Sequence, residues 1–168
     1  MKITSKVAAL AAAGAALVLT TPGPSLAASS NFLVNEGGNQ CLTIENASPD
    51  NGARAVQGPC VTSKSEWRFV KADEYNYRIV NVDNGKCLEI ADSRKDNGAP
   101  AQQWTCVDGA DTQLWDLWFS DGSGFVTNKN SDKNLEIENS SAKVGAKAQQ
   151  WAYAGVTGQR WRPVMASE

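Results

Sequence analysis

Lys86-Cys87-Leu88-Glu89-Ile90 returns as Lys133-Asn134-Leu135-Glu136-Ile137, and Gln40-Cys41-Leu42-Thr43-Ile44 precedes both. Cys41 and Cys87 lie 46 residues apart, and Cys87 and Asn134 lie 47 apart. Other features keep this period. Asn51-Gly52-Ala53, Asn97-Gly98-Ala99 and Gly145-Ala146 follow the three copies, and Gln102-Gln103-Trp104 and Gln149-Gln150-Trp151 follow the last two. Each copy closes on a Trp: Ser65-Glu66-Trp67, Gln113-Leu114-Trp115 and Gln159-Arg160-Trp161. A repeat of this length decides the architecture before any local reading does.

Within each copy the elements are short and alternate, as in Tyr77-Arg78-Ile79-Val80-Asn81-Val82 and Asn134-Leu135-Glu136-Ile137. Turn signals separate them: Asn51-Gly52, Asn84-Gly85, Asn97-Gly98 and Asp121-Gly122. No stretch after residue 28 holds a 3.6-residue apolar period. About four strands per repeat gives the even strand spacing of an all-β barrel. Three copies are too few for a propeller and too short for a solenoid. The expected fold is a β-trefoil with repeats at about 32–73, 74–121 and 122–164, each giving its Leu-x-Ile pair and late Trp to a common core.

The beginning of the chain reads differently. Lys2 and Lys6 precede an Ala-rich apolar run from Val7 to Leu19, then Pro22-Gly23-Pro24 and the small-x-small triplet Ser25-Leu26-Ala27. This is the pattern of a secretory signal, 1–27, cut after Ala27. The run is short for a bilayer span. A secreted, extracellular mature protein, 28–168, with no membrane attachment is expected.

Composition narrows the function. The 168 residues include no His, which excludes Ser-His-Asp and Cys-His nucleophile pairs and any His-ligated zinc. A net charge of -2 offers no basic footprint for nucleic acid. The acidic residues form no metal-loop cluster, so no metal and no cofactor are expected. Cys41 to Cys60 and Cys87 to Cys106 share one spacing, matched by Asn134 and Tyr153 in the third repeat. In a secreted chain that regularity selects the disulfides Cys41–Cys60 and Cys87–Cys106. The alternative, a four-Cys zinc site, wants close Cys-x2-Cys pairs, which are absent.

Cys-Leu-x-Ile, Asn-Gly, Gln-x-Trp and a Cys pair within each repeat together resemble the ricin B-chain type lectins and carbohydrate-binding modules, over essentially all of 32–164. The resemblance implies one shallow sugar site per repeat, with some copies decayed. The family's acceptor carboxylate falls on Thr43, Glu89 and Glu136. Its polar residue and stacking aromatic fall on Val56 and Gly58, on Gln102 and Trp104, and on Gln149 and Trp151. A later sugar-contacting Asn falls on Lys64, Thr112 and Gly158. The first repeat is therefore read as a structural copy. The chain departs from the family in carrying Glu for Asp, which sets the carboxylate about an ångström further out, and in lacking that Asn. No preference for galactose follows.

The residues themselves point the same way. Strand alternation turns Leu88 and Ile90 inward and Glu89 outward, and likewise around Glu136. Gln102 and Trp104 share a strand face, as do Gln149 and Trp151. Carboxylate, amide and a flat ring suit a sugar's hydroxyl edge and C–H face. The competing readings are a solvated strand face for the two Glu and core packing for the two Trp. The expected carbohydrate-binding set is Glu89, Gln102, Trp104 and Thr112 with Gln113, and Glu136, Gln149 and Trp151 with Gln159. Gln113 and Gln159 serve as supports, since Trp115 and Trp161 belong in the core.

Asn46-Ala47-Ser48 and Asn139-Ser140-Ser141 are sequons without implied modification. Trp118, with no counterpart in the other repeats, reads as an outlying core residue or an extra contact surface. A glycoside hydrolase is disfavoured because Glu89 and Glu136 sit in different repeats, whereas its carboxylates must flank one bond. The remaining alternative is a trefoil scaffold that binds a protein partner or inhibits a proteinase. The expected protein is a monomeric, non-enzymatic carbohydrate binder.

Overall fold

The computed structural model describes residues 29–61 and 63–166, so the signal expected at 1–27 lies outside the described residues. Twelve strands follow one another: β1 (Asn31–Asn35), β2 (Gln40–Ile44), β3 (Ala55–Gly58), β4 (Glu66–Lys71), β5 (Asn76–Asn81), β6 (Cys87–Ile90), β7 (Ala101–Trp104), β8 (Trp115–Ser120), β9 (Ser123–Asn128), β10 (Lys133–Ile137), β11 (Ala148–Trp151) and β12 (Trp161–Met165). Strands β1, β4, β5, β8, β9 and β12 pair antiparallel in a closed ring. Closure removes the exposed edges that an open sheet would present. The other six form three hairpins, β2–β3, β6–β7 and β10–β11, each hung on the barrel strand before it. This is the β-trefoil that the period implies.

Three equivalent sets of side chains fill the centre: Leu42 and Ile44, Leu88 and Ile90, Leu135 and Ile137, with Trp67, Trp115 and Trp161. A buried indole N–H needs an acceptor, and each finds one inside its own repeat. Trp67 Nε1 donates to the Leu42 carbonyl at 3.0 Å, Trp115 to Leu88 at 2.9 Å and Trp161 to Leu135 at 3.0 Å. The late Trp thus anchors the base of each hairpin to the barrel.

The Asx-Gly pairs do two jobs. Asp121-Gly122 forms the two-residue turn between β8 and β9, with Ser120 opposite Ser123 and φ of 53° and 84°, as a type I′ turn requires. Asn51-Gly52 and Asn97-Gly98 instead reach into the following repeat. The Gly52 and Gly98 N–H groups donate to the carbonyls of Gln103 and Gln150, each at 2.9 Å. Asn51 Oδ1 accepts from Thr105 N–H and Asn97 Oδ1 from Ala152 N–H, also at 2.9 Å. In the third repeat Val144 replaces the Asn and shares a hollow with Pro59, which has no N–H to cap.

The middle residue of each Gln-Gln-Trp closes the ring of repeats. Gln103 Nε2 donates to the Ser48 and Asp50 carbonyls at 2.7 and 2.9 Å. Gln150 does the same to Arg94 and Asp96, and Gln57 to Ser141 and Lys143. All three Gln are fully buried. Gln57 survives in the first repeat although its neighbours Val56 and Gly58 have lost the site residues.

Cys41 and Cys60 are bonded, as are Cys87 and Cys106, each with Cα atoms 5.1 Å apart. In the third repeat Asn134 Oδ1 instead accepts from Thr127 Oγ1 at 2.8 Å, and Tyr153 packs edge-on against Phe125. Loss of either disulfide should cost about 3 kcal/mol by releasing unfolded-chain entropy. Non-reducing peptide mapping, then urea melts with and without reductant, checks both the pairing and the loss. Trp118 is no core residue: it is 59% exposed.

Candidate functional site

Strand register brings the predicted pairs together. Glu89 stands opposite Gln102 across β6–β7, and Glu136 opposite Gln149 across β10–β11. Gln102 Nε2 donates to Glu89 Oε1 at 2.8 Å, and Gln113 Nε2 donates to Glu89 Oε2 at 2.8 Å. The third repeat copies this: Gln149 Nε2 reaches Glu136 Oε1 at 3.1 Å and Gln159 Nε2 reaches Glu136 Oε2 at 2.7 Å. Each carboxylate is thereby fixed by two amides. An ionised carboxylate has about four acceptor positions, so these two bonds leave capacity for a ligand's hydroxyl groups.

The two Glu do not stand on a solvated face. Glu89 is 9% exposed and Glu136 6%. Alternation does turn them away from the barrel core, but the single helical turns at Asp111–Gln113 and Thr157–Gln159 fold against β6 and β10. Gln113 and Gln159 are buried in those turns. Gln113 also donates to the Thr105 carbonyl and accepts from Val107 N–H, and Gln159 does the same with Ala152 and Ala154. They act as braces, holding the carboxylate from beneath.

The two rings lie outside the core. Trp104 is 40% exposed and Trp151 38%, at the ends of β7 and β11. Each indole leans on the glycine of the preceding repeat. A Cβ built at Gly52 would sit 3.7 Å from Trp104 Cζ3, and one at Gly98 would sit 3.7 Å from Trp151 Cζ3. Each site is therefore assembled across a repeat boundary. Carboxylate, amide and ring come from one repeat, and the support for the ring comes from the repeat before it.

These groups line two open cavities. The one of about 220 Å³ is bounded by Glu89, Asp92, Ser93, Gln102, Trp104 and Thr112. The other, of about 350 Å³, is bounded by Glu136, Asn139, Ser140, Gln149, Trp151 and Val156, with Ala154. Glu89 and Glu136 thus occupy separate cavities. Asp92-Ser93 and Asn139-Ser140 line these cavities as well, and alternation and the Gln-x-Trp pattern do not point to them. Their signal was available: Asn46-Ala47, Asp92-Ser93 and Asn139-Ser140 recur with the repeat. All six residues have φ between 48° and 56°, a region that Asn and Asp tolerate best after glycine. The first repeat shares this turn, so it belongs to the fold and the cavities exploit it.

The missing family Asn has a physical explanation at Gly158. A Cβ there would come within 2.7 Å of Ser140 Oγ and 2.8 Å of the Ile137 carbonyl, and Gly158 N–H donates to Ser140 Oγ at 3.1 Å. Ser140 fills the space an Asn side chain would need. Thr112 lines its cavity, whereas Lys64 pairs with Asp83. In the first repeat Thr43, Val56 and Gly58 leave a hollow of about 250 Å³ with neither the clamped carboxylate nor the ring. Ser65, at the brace position, donates to Pro59 instead.

The family model described as ricin-type beta-trefoil lectin domain-like matches residues 26–104, 63–151 and 111–168. The chain belongs to that family. Among solved structures it is similar to ThreeFoil, a designed threefold-symmetric protein, at 31% identity and a TM-score of 0.77, covering 80% of this chain and 97% of that one. It is also similar to an exo-beta-1,3-galactanase from Clostridium thermocellum, at 28% identity and a TM-score of 0.78, over 85% of this chain but 31% of that one. The Macrolepiota procera ricin B-like lectin, solved with lactose, shares the fold at 11% identity and a TM-score of 0.69, over 84% of this chain and 99% of that one. No curated protein sequence matches the chain.

The braces and the exposed amides should separate in a mutational test. Gln159→Ala strands Glu136 Oε2 and the Ala154 N–H, and should cost about 1–3 kcal/mol of stability. Gln149→Ala removes a part-exposed donor that water can replace, so its stability cost should stay within about 0.5 kcal/mol. Urea denaturation of the two variants checks the order.

Proposed function

We propose that this is a secreted, non-catalytic carbohydrate-binding protein with two shallow sites, in the second and third repeats. The observation that carries this reading is a buried carboxylate clamped by two amides and lining one cavity with a half-exposed indole. The arrangement occurs twice, and in the first repeat every part of it is replaced together. In the second repeat Glu89 accepts sugar hydroxyls, Gln102 and Thr112 offer further polar contacts, Trp104 stacks on the C–H face and Gln113 braces the carboxylate. Glu136, Gln149, Trp151 and Gln159 take the corresponding roles in the third.

Membership of a lectin family supports the reading, as do structural neighbours solved with N-acetylgalactosamine and with lactose. Two disulfides suit an extracellular setting, and among the described residues no helix is long and apolar enough to cross a membrane. The test is a binding screen of purified protein against galactose, N-acetylgalactosamine, lactose and a panel of insoluble polysaccharides that includes β-1,3-galactan. Saturable binding that Glu89→Ala and Glu136→Ala each halve supports two sites. Retention by none of the panel, or binding indifferent to both changes, overturns the reading.

A further inference from the structure

A strip of aromatic side chains borders one of the two cavities and has no counterpart at the other. Trp118 on β8 lies directly opposite Phe125 on β9, with ring centroids 6.1 Å apart and planes 18° from parallel. Tyr153 meets Phe125 edge-on, with centroids 5.5 Å apart. Strand alternation puts Trp118 and Phe125 on the outer face, since Val126 beside Phe125 is a core residue. Tyr153 is 72% exposed. The Arg160 guanidinium caps the Phe125 face at 5.6 Å from the centroid and is itself tied to Glu36 and Ser123. Phe125 is therefore held half-buried in the middle of the strip, while Trp118 and Tyr153 on either side of it stay exposed.

It adjoins the third-repeat cavity through a common wall. Residues 152–156 leave the end of β11, and Ala154 and Val156 line the cavity while Tyr153 turns to Phe125. The backbone of this wall is pinned to Gln159, the brace of Glu136. A ring seated on Trp151 and Glu136 that is part of a longer chain has this wall as one of its exits.

The second-repeat cavity has no such strip beside it. The positions equivalent to Trp118 and Phe125 are Val70 and Arg78, which are likewise directly opposite, and Arg78 is committed to an ion pair with Asp108. The position of Tyr153 is Cys106, consumed by a disulfide. Beside the first repeat the corresponding residues are Val164 opposite Phe32, with Cys60. Replacing the Cys pair in the third repeat is what frees position 153 for an aromatic ring.

We infer that Trp118, Phe125 and Tyr153 form a further stacking subsite that takes the next units of a neutral glycan chain anchored at Glu136 and Trp151. The inference rests on the sugar-binding reading above. The occupant follows from chemistry and position. The strip offers flat, uncharged faces that suit sugar C–H surfaces, with Arg160 at its rim as a hydroxyl partner. An exposed aromatic patch is a mark of an interaction surface, and the segment that carries Tyr153 also carries Ala154 and Val156 of the cavity wall. The third-repeat site therefore reads a chain, and the second-repeat site reads a single ring.

Calorimetry on single-site proteins tests this, with galactose and β-1,3-linked galactotetraose as probes. Trp104→Ala keeps the third-repeat site, and it should bind the tetrasaccharide about tenfold more tightly than galactose, the order expected of an added aromatic contact. Trp151→Ala keeps the second-repeat site and should gain less than about twofold. Adding Trp118→Ala to Trp104→Ala should erase the gain while leaving galactose affinity unchanged, and Trp118→Phe in the same background should restore it. A thermal melt of each variant excludes unfolding as the cause. An equal gain at both sites, or a gain that survives Trp118→Ala, overturns the inference and leaves the sugar-binding reading standing. A parent protein that dimerises, with dimerisation lost in Trp118→Ala, assigns the strip to self-association and also overturns it. Failure of the parent and every variant to bind either probe overturns the inference, whereas the sugar-binding reading stands or falls on the wider screen described above.

Discussion

The double variant Trp104→Ala with Trp151→Ala is expected to bind no sugar while melting close to the parent temperature. Both rings lie at strand ends, about two-fifths exposed, and lean on glycines of the preceding repeat. Neither belongs to the core cluster. Their removal should change stability by no more than about 1 kcal/mol, near the range of surface substitutions. The binding loss has a different origin, since each ring is the one broad apolar surface beside the polar groups of its candidate site. Trp104→Ala alone should halve the stoichiometry for a monovalent sugar. Retention on a polysaccharide should fall by much more than half, because two sites on one rigid barrel raise apparent affinity through effective concentration. Calorimetry with a short oligosaccharide, paired with a thermal melt, reads both quantities. Normal binding by the double variant would remove Trp104 and Trp151 from the site, and unfolding would return them to the core.

The contrast between these two Trp and the three at the repeat ends was legible in the sequence, because position within the repeat carries the difference. Trp67, Trp115 and Trp161 end each copy, including the copy with no site residues, so they had to serve the barrel. Trp104 and Trp151 occur only where Glu89 and Glu136 also occur. Alternation put Glu, Gln and Trp on one surface, whereas the register that sets Glu directly opposite Gln came from the structure. Burial of the two Glu was less accessible. Alternation says which face a side chain leaves by, but says nothing of a loop more than 20 residues later folding over it. The middle Gln of Gln-Gln-Trp was passed over for a similar reason. Gln57, Gln103 and Gln150 bond to loops of a neighbouring repeat, and a contact between repeats leaves no trace in a pattern read one repeat at a time. Trp118 broke the symmetry in plain view, yet only the cross-strand register to Phe125 and the wall carrying Tyr153 give it a setting.

Trp67→Ala is expected to destabilise the protein as severely as Trp115→Ala or Trp161→Ala, although the first repeat has no candidate sugar site. Emptying a fully buried indole costs about 3–5 kcal/mol through lost transfer energy and the cavity left behind. Each change also strands a buried carbonyl, Leu42, Leu88 or Leu135, that accepts the indole N–H, worth about 1–3 kcal/mol. A domain holding about 5–15 kcal/mol in all would be left marginal or unfolded. Trp67 also stands between two barrel strands, opposite Asn31 on β1 and Asn81 on β5, so the cavity opens where two repeats meet. Trp67→Phe keeps most of the apolar volume and loses the hydrogen bond, so it should show the smaller part of the loss while leaving the two candidate sites unchanged. Urea denaturation of the three Ala variants and of Trp67→Phe separates the contributions. Near-equal losses at the three positions mean that the first repeat is kept for the barrel it closes. A Trp67→Ala protein as stable as the parent would mean that the first repeat had lost its structural role along with its site residues.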